Sequence, residues 1–137
     1  MCLNKLDRYS MWAPLFLRLA LGAVFIIHGA DKLFGGMAGT AQFFTGLGIP
    51  MPLVSAWVVA IVEFFGGIAL VLGLFTRYAS LLLTVDMLVA LFLVHFSKDF
   101  KINAGGYEFV LVLLAGCLAL TLRGSGKLAV DEHLKMG

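Results

Sequence analysis

Three ionisable side chains stand inside long apolar runs: Arg18, Glu63 and Asp86. In lipid such a charge is expensive, and it turns toward a protein interior or a wet cavity, where it pairs or moves protons. One cation with two carboxyls can form a buried network in which one carboxyl holds a proton. The same trio can equally be an ion-pair clamp that fixes helix register and does no chemistry. A second set gathers where the runs end. His28 and His95 lie near the ends of two apolar segments, with Lys32, Tyr107 and Glu108 close by in sequence and Asp31, Lys98 and Asn103 beside them. A histidine with a carboxylate and a tyrosine can bind a quinone carbonyl and carry its protons, because imidazole titrates near neutral pH. Two histidines on facing helices could also ligate a haem axially, and of the two ligands the quinone is preferred. Against both stands the plain reading, in which the histidines bond backbone carbonyls, Lys32 snorkels and Tyr107 is an interface aromatic. No metal site is expected, since Cys2 and Cys117 lack metal-type spacing. Cys117 reads as a small packed hydrophobe and Cys2 as an exposed thiol. Neither a P-loop nor a Gly-x-Ser-x-Gly motif is present.

The elements that must position these residues follow from composition. The 137 residues are 61% hydrophobic and 13% charged, with mean hydropathy +1.02. A soluble domain is about 45–50% apolar and about 25% charged. So few charges could not cover a water-facing surface, and so much apolar surface excludes a disordered chain. Two cysteines exclude a disulfide scaffold, and a net charge of +2 is too mild for a nucleic-acid partner. What remains is an all-α integral membrane protein, a single transmembrane domain over residues 1–137 with spans at about 12–30, 51–73, 78–96 and 107–122. Spanning takes about 20 apolar residues as helix, and the fourth run is short enough to need thinned bilayer or an earlier start. Period-2 alternation, which a barrel needs, is absent. Arg18 inside the first run, with no convincing cleavage site after it, makes that run a retained helix and not a signal peptide.

Turn chemistry separates the runs: Gly35-Gly36, Gly46-x-Gly48 and Pro50-x-Pro52, then Thr76-Arg77, then Asn103-Ala104-Gly105-Gly106, and finally Arg123-Gly124-Ser125-Gly126-Lys127. The first connection, Asp31 to Pro50, carries Phe34, Phe43, Phe44, Leu47 and Ile49. It reads either as an interfacial cap over the outer mouth of a four-helix bundle or as an ordinary loop with anchoring aromatics. At about 1.5 Å per residue, Arg18 lies ~9 Å from its end of the membrane, Asp86 ~12 Å and Glu63 ~15 Å, so three helices bring charge to one level. Small residues share their faces: Gly22 and Gly29 with Arg18; Ala56, Ala60 and Gly67 with Glu63; Ala79 and Ala90 with Asp86; Ala115 and Ala119 with Glu108. Such stripes let helices approach closely in lipid, so they should face inward. Lys5, Arg8, Arg77, Arg123, Lys127 and Lys135 fall on the side of the termini, against Lys32, Lys98 and Lys101 on the other. The excess predicts a multi-pass protein with both termini in the cytoplasm.

The ensemble of motifs is familiar. Arg18-Leu-Ala-Leu-Gly22, His28-Gly-Ala-Asp-Lys32-Leu-Phe-Gly35, Glu63-Phe-Phe-Gly66-Gly67, Leu72-Gly73-Leu-Phe-Thr76-Arg77, Asp86-Met87 with Ala90, His95, Gly105-Gly106-Tyr107-Glu108 and Gly124-Ser-Gly126-Lys127 with Asp131 stand in order over about residues 14 to 131. The chain resembles the DoxX family. Ser125 stands where that family more often has proline. The resemblance implies a small four-helix protein of the bacterial inner membrane, with redox chemistry by analogy. One archaeal relative is the membrane subunit of a thiosulfate:quinone oxidoreductase, mycobacterial relatives are linked to oxidative- and thiol-stress redox complexes, and distant members are assembly factors or cargo receptors.

Three functions stay open at this point. The chain could be a quinone-linked or thiol/oxidative-stress redox component, such as the membrane subunit of an oxidoreductase, taking electrons from a partner. It could be a non-catalytic accessory subunit or assembly factor of a larger membrane complex. It could be a small-solute or proton permease. Its expected surroundings are the lipid bilayer, a redox or larger-complex partner, and further copies of itself.

Overall fold

A computed structural model describes residues 3–136; Cys2, read above as an exposed thiol, lies outside the described residues. Every regular element among them is helical. A 3-10 segment, Leu3–Trp12, leads into α1 (Ala13–Asp31). A wide turn at Lys32–Gly36, non-helical at Phe34 and Gly35, leads on to α2 (Met37–Gly46). Then come α3 (Pro52–Leu72), α4 (Thr76–Val89) prolonged by a wide i→i+5 turn (Ala90–His95), a short turn at Ile102–Ala104, α5 (Glu108–Arg123) and α6 (Val130–His133). The runs Lys5–Gly46, Pro52–Leu72 and Thr76–His95 are long and apolar enough to cross a membrane, while α5 has 16 residues. Helix is what lipid demands, because only helices satisfy every backbone group within one segment. The first connection is therefore not an irregular loop: it holds α2, packed on α3.

Helices α1, α3, α4 and α5 pack in a closed ring, each against its two neighbours. Leu21 and Phe25 of α1, Leu70 of α3, Leu83 and Met87 of α4, and Leu113, Leu114, Cys117 and Leu120 of α5 fill its centre. Phe16, Trp57, Phe65, Leu81, Phe92, Val112 and Leu122 point outward and stay exposed. An apolar belt of that extent belongs against acyl chains. The closest seam is between α1 and α3. A Cβ on Gly22 would lie 2.8 Å from the Gly67 carbonyl oxygen, one on Gly67 2.8 Å from the Ile26 nitrogen, and one on Gly29 2.7 Å from the Phe64 Cα. Only glycine lets the two backbones meet there. On α3 the inward stripe is as expected, with Ala56, Ala60, Glu63 and Gly67 all buried. On α5 it is not: Ala115 and Ala119 are exposed, and Val110, Leu113, Leu114, Cys117 and Leu120 face inward. The larger side chains win the inside because α5 packs mainly on α4 and carries no charged group that must be hidden.

The end of the ring that carries the termini is closed by polar bonds between segments far apart in sequence. Gly73, at φ 66, ends α3 in the left-handed conformation. Its N–H and that of Leu74 satisfy the Leu70 and Ala69 carbonyls at 3.1 and 2.9 Å. Helix α4 starts with no cap of its own; the buried Asp131 carboxylate accepts the Phe75 and Thr76 N–H groups at 2.7 and 2.8 Å. An anion at that position also complements the helix dipole. Arg77 donates to the Thr121 and Leu122 carbonyls, both at 2.9 Å, and so caps the end of α5. The returning strand of chain is pinned by Lys127 N–H on the Met11 carbonyl at 3.0 Å and by Asp131 N–H on the Gly73 carbonyl at 2.9 Å.

Three substitutions test this frame. Gly67→Val drives a side chain into the α1 backbone and is expected to cost about 1–3 kcal/mol, read as a lower thermal midpoint in detergent. Gly39→Ala, where nothing lies within 4 Å, is expected to change stability by less than about 0.5 kcal/mol. Asp131→Ala is expected to cost more than a lost cap's about 0.5–2 kcal/mol, because the buried Arg18 also loses the carboxylate that acts on it. A loss no larger than a surface substitution would show that the α4 cap is not needed.

Candidate functional site

Away from the termini the ring opens into a cavity of about 1090 Å³ between α1, α2, α3, α4 and α5. Its walls are apolar, with Phe25, Phe44, Val62 and Met87 among them, and its polar groups are few and convergent. Lys32, just past the end of α1, sends its chain down into the bundle and forms an ion pair with Glu63 of α3. Their side chains are 21% and 7% exposed. Lys32 Nζ also donates to the His28 carbonyl at 3.3 Å. Asp86 of α4 lies near enough to interact with both partners, and its Oδ2 is buried without a hydrogen-bond partner. Glu63 is nine residues above the lower end of α3 and Asp86 ten above the start of α4, so both stand ~13–15 Å up, near the middle of a bilayer. Two carboxyls facing one ammonium are charge-neutral when they hold one proton between them.

The histidines line the same cavity. Nδ1 of His28 bonds the Val24 carbonyl at 2.9 Å and Nδ1 of His95 bonds the Gly105 carbonyl at 2.8 Å. A carbonyl accepts, so in a neutral ring the proton sits on Nδ1 and Nε2 keeps its lone pair. Both mouth residues ride on wide turns. Lys32 begins the one that ends α1 and His95 ends the one that prolongs α4. Such turns displace side chains from the regular helical register, and they are frequent at functional sites.

The grouping differs from the sequence expectation in three places. Arg18 does not join Glu63 and Asp86. It is 0% exposed, and its Nη2 donates to the Lys127 and Leu128 carbonyls, both at 3.0 Å. Its Nη1 occupies the space over Gly73 that a Cβ would fill, with Asp131 near enough to act on it. The returning chain offers Arg18 carbonyls and a carboxylate at its own end of the bundle, so it need not climb to Glu63. Lys32 takes that place instead of snorkelling to the interface. Tyr107 packs its ring against Phe96 and Phe100, with centroids 6.3 and 5.2 Å away. Glu108 accepts the Ile102 N–H at 2.6 Å and closes the loop before α5. Both organise the loop wall behind the cavity. Asp31, Lys98 and Asn103 are exposed. Sequence reasoning named Asp131 only among the motifs of the family resemblance and gave it no role; a carboxylate just past a Gly-Ser-Gly turn, on the same side as Arg18 and the α4 start, was the available signal.

The DoxX family model matches residues 13–96, a stretch that contains His28, Lys32, Glu63, Asp86 and His95. Among curated relatives, "Putative oxidoreductase CatD" of Bacillus subtilis is 37% identical over 123 residues, 90% of this chain and 87% of the relative. "Inner membrane protein YphA" of Escherichia coli is 33% identical over 124 residues, 87% and 88% of the two chains. "Inner membrane protein YqjF" of the same organism is 31% identical over 120 residues, 85% and 88%. No solved structure matches the chain.

A double-mutant cycle tests the ion pair. Lys32→Met leaves two buried carboxyls without their cation and is expected to destabilise by about 3–5 kcal/mol. Adding Glu63→Gln to that variant should recover most of the loss, as measured by thermal unfolding in detergent. Additive losses would show that the pair is not coupled.

Proposed function

The chain belongs to the DoxX family, and on that premise we propose that it is a redox component of a bacterial inner membrane whose cavity holds a quinone. The observation that carries this reading is a large apolar cavity with a single charged centre, where Asp86 Oδ2 is buried and unpartnered beside the Lys32–Glu63 pair. The residues fit such a group: apolar walls suit the ring and tail, and a few polar atoms remain to meet a carbonyl. A bound quinone would supply a carrier of two electrons and two protons. Lys32 balances negative charge at the head-group position. Asp86 with Glu63 can hand over a proton, and His28 and His95 can accept one at Nε2. Helix α2, with Phe43 and Phe44 on the cavity wall, excludes water. Electrons come from a partner redox protein.

In this reading α1, α3, α4 and α5 all cross the membrane. At ~24 Å, α5 spans a locally thinned bilayer. The six-to-three excess of Lys and Arg puts both termini in the cytoplasm. The name of the Bacillus subtilis relative supports the redox class, and those of the Escherichia coli relatives support the inner membrane.

Purification in mild detergent from quinone-containing membranes, followed by solvent extraction and mass spectrometry, tests the proposal. About one isoprenoid quinone per chain is expected. Asp86→Asn, which leaves the ion pair intact, is expected to weaken binding about tenfold, or ~1.4 kcal/mol. A stoichiometric larger partner with nothing extractable from the cavity would assign an accessory role instead.

A further inference from the structure

We propose that the cavity opens sideways into the hydrocarbon, through a gap between α3 and α4, and that its ligand is an amphiphile already dissolved in the membrane. Near the termini the two helices are tight, and a Cβ on Gly66 of α3 would lie 3.2 Å from Leu83 Cγ on α4. Toward the other end they part. Val54 and Val58 of α3 and Val85 and Val89 of α4 all line the cavity, yet they are 54, 54, 53 and 43% exposed. A residue that lines a cavity and is also half open to the outside stands on its rim. Ala56 and Ala60, on the opposite face of α3, are completely buried, so on α3 the rim is confined to the face that carries Val54 and Val58.

The height of the rim decides what it opens to. Val85 is nine residues above the start of α4 and Val58 fourteen above the end of α3, which places them ~14 and ~21 Å from the termini end. Both lie within a hydrocarbon layer about 30 Å thick. The rim is branched aliphatic, so a polar solute passing it would lose its hydration without a hydrogen bond in return. Toward water the cavity is partly covered by α2, with Phe44 buried on its wall, and by the loop that brings in Gly105 and Gly106, while Met51 and Ile102 stand exposed at its edge there. A head group can therefore reach Lys32, Glu63 and Asp86 while its tail stays among the lipid chains outside Val58 and Val85. This inference rests on the quinone reading and narrows it: the substrate class is the long-tailed, membrane-dissolved kind, taken laterally.

Wild-type protein in phosphatidylcholine nanodiscs, titrated with a long-tailed benzoquinone and with a tail-less benzoquinone of the same ring, provides the test. Quinone retained per chain is counted by mass spectrometry. Wild-type protein is expected to hold the tailed compound at least about tenfold more tightly, relative to its concentration in the phase from which it is taken. Val58→Phe with Val85→Phe, which narrows the rim, is expected to abolish that preference and leave binding of the tail-less compound unchanged. Equal retention of the two compounds by wild-type protein, or an equal loss of both in the variant, overturns lateral entry and leaves the redox reading standing. Failure of both compounds to bind wild-type protein sinks the redox reading itself. The wild-type comparison decides the matter even where the double variant does not fold.

Discussion

The glycine seam between α1 and α3 sets the positions of everything charged in this protein. With Gly22, Gly67 and Gly29 in place the two backbones come into direct contact, and their register is fixed to the residue. Four residues before Gly22, Arg18 then falls beside Gly73; three after Gly29, Lys32 falls above Glu63. One apolar contact thus delivers both cations to their partners. In lipid there is no hydrophobic force to drive such a contact, only close packing and the satisfaction of polar groups. The seam and the charges it aligns hold each other in place.

The two ends of the molecule spend their polar groups differently. At the termini end Arg77 and Asp131 are directed at carbonyls and N–H groups that helix ends leave over, and Arg18 Nη2 at two carbonyls of the returning chain. These bonds hold the ring shut, although Arg18 Nε and Nη1 and Thr76 Oγ1 are buried there without a hydrogen-bond partner. At the far end a side-chain pair, two histidines bonded through one nitrogen only, and an unpartnered carboxylate oxygen surround open space. A cation bound by rigid backbone is scaffolding. Groups with unused hydrogen-bonding capacity around a void are available to a ligand.

Much of this was legible in the sequence because bilayer thickness and helix rise leave few choices. The Ala56, Ala60, Glu63, Gly67 stripe is the inner face of α3 because a buried glutamate and small residues at helical spacing can have no other place. The partner of Glu63 was not legible. Counting rise put Arg18 within about one helical turn of Glu63 in height, but that count ignores the length of a lysine side chain, which reaches down from the end of α1. It also ignores the returning chain, whose carbonyls claim Arg18 first. Tyr107 and Glu108 sit beside His95 in any linear list of polar residues, yet local turn geometry uses them up before they reach the cavity. The small residues of α5 misled for the opposite reason: without a charge to conceal, alanine carries no signal of direction.

The Asp131 cap has a temporal side. The N–H groups it satisfies belong to Phe75 and Thr76, made 55 or more residues earlier in the chain. While the ribosome is still working through α5, the first turn of α4 has water or lipid head groups as its only acceptors. The glycine seam, whose two halves lie within the first half of the polypeptide, can assemble long before. In chain order, then, the helix pair can close early, and the bolt can slide home only once α5 and the segment after it have been made.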